Sequence, residues 1–370
     1  MVQTERSRVS VLSLAVMLPW LVVVFSAAAC TEQAESGRTA ARKPEFRRTV
    51  TVRGAGATFP QPLYSKWGSA YYERTGVWVD YRATGSKSGI DTICAGSTDF
   101  GASDLPLSPE ELERHGLVQF PVVVGAVAPV VNLPGIDPGA LRLTGPILAR
   151  IYLGEITRWD DPAIRSLNPT LVLPSRDVIP VYRNDVSGTT RLFTQYLCAA
   201  SPLWDNRVGL GSQVESPAGV GATSNSQVAK FVKQFKHTIG YVDLSHALAM
   251  RLTWTSLMNR DGSFVEPSLA STRAALEHGT WEVADPLRPV LANPHGGESW
   301  PIAGPTYILV RRVQRSRERA WRLLAFFDWA LADGAGEAES LQYVTLPSDY
   351  VALIKQTWKS SIGTDGDPLW

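Results

Sequence analysis

The chain has 370 residues, of which 44% are hydrophobic and 19% are charged, enough to bury a large core in more than one folded unit. Its 36 lysine and arginine residues nearly balance its 35 aspartate and glutamate residues, so no overall charge excess directs it to nucleic acid or an anionic surface. Any anion that it recognises must therefore be recognised by a local arrangement of residues.

The first thirty residues have the order of an export signal. Arg6 and Arg8 precede a charge-free stretch from Val9 to Ala29, which ends in small residues just before Cys30. We expect residues 1–29 to be removed as a signal peptide. The three alanines before Cys30 resemble a bacterial lipobox, which predicts that Cys30 is lipidated. A secreted chain without lipid is the second interpretation, and an uncleaved membrane anchor is the third.

The residues that follow the predicted cleavage point are polar. Residues 30–49 contain almost no aliphatic side chains, which is typical of a flexible tether. The folded body should therefore begin near Val50.

Two cysteines remain beyond Cys30. Cys94 and Cys198 lie in apolar helical patterns, IDTICAG and FTQYLCAA, and their spacing fits no metal site. A disulfide is open to an exported chain, but these patterns favour two buried free thiols.

From Thr49 onward, short β-rich runs alternate with helical periodicities. TVTVRG (49–54) predicts a strand, and Pro60–Arg74 predicts a helix that ends at Gly76. Further strands are predicted at VWVDYRATG, STDFGASD, LVQFPVVVGAVAPVVN, VIPVYRN, TIGYVDL and TYILV, and a long late helix at Ser316–Asp333. This order predicts an α/β fold with mixed, mostly parallel sheets flanked by helices.

Two segments rich in glycine and proline divide the chain. They lie near residues 130–146 and 285–305. Such segments are typical of connections between folded units. Their positions predict a middle lobe inserted into an outer one.

Three places share one local pattern, in which a strand end is followed by small or hydroxyl residues and then by a helix. They are GAGATFPQP (54–62), ATGSKSGID (83–91) and RNDVSGTTRLF (183–193). A helix start leaves N–H groups unpaired and carries partial positive charge, so each is a candidate anion cradle. The same residues also cap ordinary helices, so the pattern gains weight because it occurs three times.

Arg183 adds a full positive charge to the third of these places. Its planar guanidinium matches an oxyanion, and Asp185 could hold it in position. The alternative is a surface ion pair, which would contribute little.

An enzyme is the main alternative class of function. Serine hydrolysis would need a base near Ser187, but no GxSxG occurs and the histidines form no recognisable nucleophile motif. GSKSG lacks the spacing of a phosphate-binding loop, and no carboxylate and histidine cluster suggests a metal-dependent phosphatase. We therefore expect no enzyme activity, cofactor or metal. The five histidines are His115, His237, His246, His278 and His295.

Seven segments closely resemble the periplasmic phosphate-binding proteins, the substrate-binding component of the high-affinity phosphate ABC transporter. They are GAGATFPQPLYSKW, TDFGASDLPLS, IYLGEITRWDDPAI, LNPTLVLPS, NDVSGTTRLFTQYL, IGYVD and FFDWAL. The resemblance implies the type II periplasmic binding protein fold, with two α/β lobes joined by crossing strands and phosphate buried between them. It places lobe one at about 54–123 plus 303–370 and lobe two at 124–302.

The resemblance also implies which residues contact phosphate. Asp185 matches the family residue that pairs with the arginine. Residues 204–227 and 251–299 resemble the family only loosely, and we assign nothing there. The implied contacts are Thr58, the backbone N–H of Phe59, Ser86, Asp104, Arg183, Ser187, Gly188 and Thr189.

Asp104 differs from the other implied contacts because an ionised carboxylate only accepts hydrogen bonds. It can pair with a ligand oxygen only when that oxygen carries a proton, as in phosphate but not in sulfate at neutral pH. We therefore expect Asp104 to select the ligand. Without the resemblance, Asp104 would be interpreted as a turn or cap residue. Lys87 departs from the family pattern after Ser86 and could lie outside the pocket or at its mouth.

The resemblance implies capture of inorganic phosphate outside the cytoplasm and its delivery to the permease and ATPase of an ABC transporter. The protein would be periplasmic or anchored to the cell membrane through a lipid on Cys30, with no role for nucleic acid. Binding of another tetrahedral oxyanion and phosphohydrolase activity are the alternatives.

Overall fold

The computed structural model describes residues 51–216, 218–282, 285–364 and 367–370. The predicted signal peptide, the tether and Cys30 lie outside the described residues. The helices are α1 (Gln61–Thr75), α2 (Ser86–Cys94), α3 (Pro109–His115), α4 (Gly145–Tyr152), α5 (Pro162–Leu167), α6 (Gly188–Ala200), α7 (Pro202–Arg207), α8 (Asn225–Gln234), α9 (Leu244–Ala249), α10 (Leu269–Glu277), α11 (Arg317–Ala332), α12 (Ala335–Glu339) and α13 (Ser348–Ser361). The strands are β1 (Thr51–Gly56), β2 (Trp78–Ala83), β3 (Phe100–Ser103), β4 (Leu117–Val131), β5 (Arg142–Leu143), β6 (Ile179–Arg183), β7 (Val220–Ala222), β8 (Thr238–Asp243), β9 (Thr253–Trp254), β10 (Ser256–Met258), β11 (Phe264–Val265), β12 (Thr280–Glu282), β13 (Asp285–Val290), β14 (Ala303–Arg311), β15 (Val344–Thr345), β16 (Gly363–Thr364) and β17 (Asp367–Pro368).

One ten-stranded sheet runs through the described part of the chain. Its order is β2-β1-β3-β14-β4-β8-β6-β7, and β15 and β9 also pair with β4. β1 is parallel to β2 and β3, and β6 is parallel to β7 and β8. β14 and β4 are antiparallel to each other and to their outer neighbours. The predicted parallel order therefore holds at both ends of a mixed sheet, and the two central strands break it.

β4 joins the two halves of this sheet. All fifteen of its residues are buried, which requires an almost unbroken apolar run. Nine of its first ten residues pair with β14, with Val122 skipped at a bulge, and Val127–Val131 pair with β8. One continuous strand thus belongs to both halves.

The predicted long helices are confirmed with small changes of boundary. α1 buries Leu63, Trp67 and Tyr71 on one face and ends at Gly76, which adopts the left-handed conformation at φ 72°. α11 begins after Ser316, whose hydroxyl accepts the N–H of the third helical residue.

The two cysteines correct one prediction. Both thiols are free, as expected, but Cys94 is exposed and Cys198 is only partly buried. The buried position on α2 is the preceding residue, Ile93, so the apolar pattern was assigned to the wrong side of the helix.

The close approach of α2 to the sheet gives a test of the packing. A Cβ atom at Gly89 would lie 2.5 Å from the Ala102 carbonyl oxygen and 2.7 Å from Gly56 Cα. We expect Gly89→Ala to lower the free energy of unfolding by about 1–3 kcal/mol in urea titrations, since neither backbone can move freely. Gly336→Ala is the matched control at an exposed position of α12, where nothing lies within 4 Å of an added Cβ atom. It should be neutral or stabilising by up to about 1 kcal/mol. Equal changes in unfolding free energy for Gly89→Ala and Gly336→Ala would contradict the close contact of α2 with the sheet.

Candidate functional site

The three predicted helix starts lie next to one another. The N–H of Gly85, before α2, donates to the carbonyl of Gly56 at the end of β1 over 2.8 Å. At the start of α6, a Cβ atom on Gly188 would lie 2.3 Å from Asp104 Cβ, just after β3. The ends of β1, β3 and β6 therefore meet around one small volume.

Two serine hydroxyls in this volume are already used as acceptors. Ser86 Oγ accepts the N–H of Asp104 at 3.3 Å, and Ser187 Oγ accepts the N–H of Thr190 at 3.2 Å. Ser86 and Ser187 are each 2% exposed. Because a hydroxyl carries one hydrogen of its own, both can still donate to a ligand.

The start of α6 adds backbone donors. The first intrahelical bond runs from Arg191 N to Ser187 O at 3.1 Å, so the N–H groups of Gly188 and Thr189 precede it. The helix itself supplies them with no acceptor. They are therefore free to bind an anion, with the helix dipole aligned favourably.

Thr58 and Phe59 form the corner between β1 and α1. Thr58 is 8% exposed and Phe59 is fully buried. The Phe59 carbonyl accepts the hydroxyl of Tyr343 at 2.7 Å, and the two rings meet edge to face. This contact with Tyr343 anchors the corner between β1 and α1.

Arg183 is the buried cation of the site, with 1% exposure. Its Nε and Nη2 atoms each donate to one oxygen of Asp185 at 2.7 Å, and Nη1 donates to Asn225 Oδ1 at 2.6 Å. A guanidinium has five N–H donors, so these three bonds leave two for a ligand. The predicted pairing of Arg183 with Asp185 is present. It is a fork between a buried arginine and a partly buried aspartate rather than a surface pair.

Asp104 is the unusual group. It is 3% exposed, and its Oδ1 has no hydrogen-bond partner among the described residues. Burial raises the pKa of this carboxyl to about 7, and the charge of Asp243 adds to the shift; Thr306 and Arg183 partly oppose it. A buried acceptor without a protein partner is suited to a ligand that brings its own proton.

Lys87 lies outside this volume. Its side chain is 61% exposed and pairs with Asp91 across one turn of α2, at 2.7 Å. Of the two interpretations open from the sequence, the structure therefore favours the first.

Three further buried residues were missed by sequence reasoning. Asn225, Asp243 and His246 stand behind Arg183 and Thr189 and are described in detail below. Asp243 ends β8 and begins α9, the same strand-to-helix pattern that identified the other sites, so that pattern could have found it. Asn225 lies in a segment to which no function was assigned.

Among the described residues, no group of three or more histidine, cysteine, aspartate or glutamate side chains is placed to hold a metal ion. Within the same residues, no helix is both long and apolar enough to cross a membrane.

The buried carboxylate should make stability depend on pH. Because the pKa of Asp104 is raised from 3.8 to about 7 in the folded state, the ligand-free protein should lose stability as pH rises between these values. Asp104→Asn removes this cost, so we expect the variant to exceed the wild type in unfolding free energy at about pH 8, by up to about 4 kcal/mol. The difference should shrink at about pH 5.

Urea unfolding of the ligand-free proteins measures this difference. Asp177→Asn is the control, because that side chain is 82% exposed and should show no such effect. A difference between wild type and Asp104→Asn that stays constant with pH would contradict the assignment.

Comparisons with known proteins agree with this geometry. A family model described as a PBP superfamily domain matches residues 32–333. The phosphate-binding protein PstS of Haemophilus influenzae is 45% identical over 317 residues, which cover 86% of this chain and 95% of the relative. PstS of Xylella fastidiosa is 43% identical over 316 residues, which cover 85% of this chain and 87% of the relative.

Solved structures show the same fold. A high affinity periplasmic phosphate-binding protein (PfluDING) bound with phosphate has a TM-score of 0.70 at 20% identity, covering 86% of this chain and 97% of that chain. A phosphate-binding protein from Stenotrophomonas maltophilia has a TM-score of 0.67 at 21% identity, with the same coverage. The predicted two-lobed α/β fold is thereby confirmed. The family model and the relatives in sequence show that the chain belongs to the PstS family of phosphate-binding proteins.

Proposed function

We propose that this protein captures inorganic phosphate outside the cytoplasm and delivers it to the permease and ATPase of a membrane ABC transporter. The observation that carries the proposal is one buried volume in which nearly every free group is a hydrogen-bond donor and one carboxylate is an unpaired acceptor. Hydrogenphosphate presents the complementary set, with several oxygens that accept and one hydroxyl that donates.

The donors are sufficient in number for useful affinity. Arg183 offers two N–H groups, Ser86 and Ser187 offer hydroxyls, and the start of α6 offers backbone N–H groups. Charge-assisted hydrogen bonds contribute about 1.5–3 kcal/mol each. Five or six of them can offset desolvation and still reach about −8 kcal/mol, which is micromolar binding.

Asp104 is the proposed selectivity residue. Its free Oδ1 would accept the proton of hydrogenphosphate, whereas a sulfate oxygen would leave it unpaired and add charge repulsion. Burial also raises the pKa of Asp104, because it disfavours the ionised carboxylate. Bound hydrogenphosphate would supply a hydrogen-bond partner for that ionised form.

The site residues that we propose come from both lobes. Lobe one is assigned to about 54–123 plus 303–370 and lobe two to 124–302. The assignment is supported by the pairing of β4 with β14 in one half of the sheet and with β8 in the other. Close contact between Gly188 of lobe two and Asp104 of lobe one fits a closed cleft. Opening would then bend the crossing strands.

We infer that the protein is a binding protein and not an enzyme. The Ser187 hydroxyl caps α6, and no histidine bonds to it among the described residues. A metal-dependent phosphohydrolase would also need a metal cluster, and the part of the chain that is described offers none. Turnover of phosphate esters by the purified protein, with or without divalent metal, would support the enzyme instead.

Calorimetry against phosphate and sulfate tests the proposed ligand. We expect micromolar or tighter binding of phosphate and at least about 10⁴-fold weaker binding of sulfate. In Asp104→Asn the preference for phosphate over sulfate should fall by about 100-fold or more, because an amide can donate a hydrogen bond to an unprotonated sulfate oxygen. Asp177→Asn should keep the wild-type preference.

The proposal fails if the wild type binds sulfate as well as phosphate, or binds neither. If another tetrahedral oxyanion binds more tightly than phosphate, the proposed role in transport would stand but the proposed ligand would change. An unchanged preference in Asp104→Asn would remove Asp104 from its proposed role while leaving the ligand in place.

The proposed location depends on Cys30, which lies outside the described residues. We infer that residues 1–29 are removed and that Cys30 becomes the lipidated first residue. In bacterial cells, labelling with a clickable fatty acid should mark the wild type and not Cys30→Ala, whereas Cys94→Ala should be marked normally. Equal labelling of all three proteins, or of none, would contradict the lipid anchor.

A further inference from the structure

A second buried pair of ionisable groups lies behind Arg183, and the proposed binding contacts do not use it. Asp243 is 1% exposed and begins α9, where its Oδ1 accepts the N–H of His246 at 3.0 Å. Nδ1 of the His246 ring lies 2.7 Å from the other oxygen, Oδ2. Because His246 is also buried, at 6% exposure, either charge alone would be costly here.

Asn225 connects this pair to the site. Its Nδ2 donates to Asp243 Oδ2 at 2.8 Å and to Thr189 Oγ1 at 3.1 Å, while its Oδ1 accepts from Arg183 at 2.6 Å. An ionised carboxylate only accepts, so Asp243 fixes which way the Asn225 amide faces. The amide oxygen is thereby held towards Arg183, and the Thr189 hydroxyl keeps its own hydrogen for a ligand.

We propose that His246 is a positioning residue for the anion site. When protonated, it balances the charge of Asp243 and so keeps Asn225, Arg183 and Thr189 in the arrangement that receives the anion. This inference rests on the proposed function and deepens it, because it identifies a group by which pH would regulate affinity.

The surroundings of His246 contain few other charges. β4, β8 and α8 pack against α9. β4 has no charged residue, and β8 contributes Asp243 at its end. α8 presents Ser226, whose Oγ lies 3.2 Å from His246 Nε2, while its lysines, Lys230 and Lys233, are exposed. Arg183 on β6 is the remaining charge that acts on the imidazole.

The balance of these effects favours the protonated ring. Burial lowers the pKa of His246 and Arg183 lowers it slightly further, but the charge and contact of Asp243 outweigh both, so the pKa is raised above its ordinary value. Below that raised pKa the pair is neutral overall. As pH rises through it, Asp243 is left as an uncompensated negative charge close to the anion site.

That charge would weaken binding in two ways. It repels the anion directly, and it also acts on Asp104, whose pKa is raised by the charge of Asp243. A raised pKa favours the protonated form of Asp104, and a protonated carboxyl is a poorer acceptor for the proton of the ligand.

Phosphate affinity of His246→Gln, measured by calorimetry across pH, tests the inference. At about pH 6 we expect the variant to bind about tenfold more weakly than the wild type, because glutamine cannot carry the balancing charge. Once the pH exceeds the raised pKa of His246, the wild-type ring is neutral as well, so the ratio of the two dissociation constants should approach one. His115→Gln, at an exposed position on α3, should match the wild type throughout.

Each outcome bears on the inference. If His246→Gln weakens phosphate binding by the same factor at every pH, His246 contributes only packing. If the variant binds as tightly as the wild type at every pH, His246 does not act on the site. Either result overturns the inference. Wild-type protein that binds no phosphate would instead overturn the proposed function.

A second pair of variants tests the role of His246 even if the single variant His246→Gln does not fold. In Asp243→Asn the partner carries no charge, so adding His246→Gln should weaken binding less than about twofold. A further tenfold loss in that background would contradict charge balance as the role of the histidine, even if the single variant His246→Gln does not fold.

Discussion

The site depends on a buried arginine that the protein holds through three of its five N–H donors. Asp185 and Asn225 take three of the five N–H donors of Arg183 and fix the plane of the guanidinium. An unpaired buried cation would be costly, and the charged fork with Asp185 together with the bond to Asn225 offsets part of that cost. The two donors that remain are oriented before any ligand arrives, so binding does not have to pay for ordering them.

The neighbouring hydroxyl groups also keep hydrogen-bond donors available for a ligand. The oxygens of Ser86, Ser187 and Thr189 each accept an N–H from the protein, so their hydrogens are the groups left over. Against these donors stands Asp104, whose free oxygen has no partner among the described residues. We propose that this site recognises the protonation of an anion as well as its shape, and we expect the buried Asp104 carboxylate to destabilise the ligand-free protein.

The architecture explains how residues so distant in sequence meet. β4 crosses from one half of the sheet to the other, so the ends of β1 and β3 can face the end of β6. The helices that follow these strands then present their starts to the same volume. Gly188 is required at the meeting point because any side chain there would collide with Asp104.

Local sequence predicted the three helix starts and the Arg183–Asp185 pair, since each depends on neighbours only a few residues apart. It also predicted the helices α1 and α11 and the strands β1, β2, β3, β4, β6, β8 and β14. Resemblance to a family added the distant member, Asp104. The antiparallel centre of the sheet and the Asn225–Asp243–His246 network were decided by the tertiary structure alone. The reason is physical. The sequence pattern indicates which residues are apolar or can cap a helix. The burial of a group, the balance of buried charges and the number of free hydrogen-bond donors arise only when separate segments are brought together.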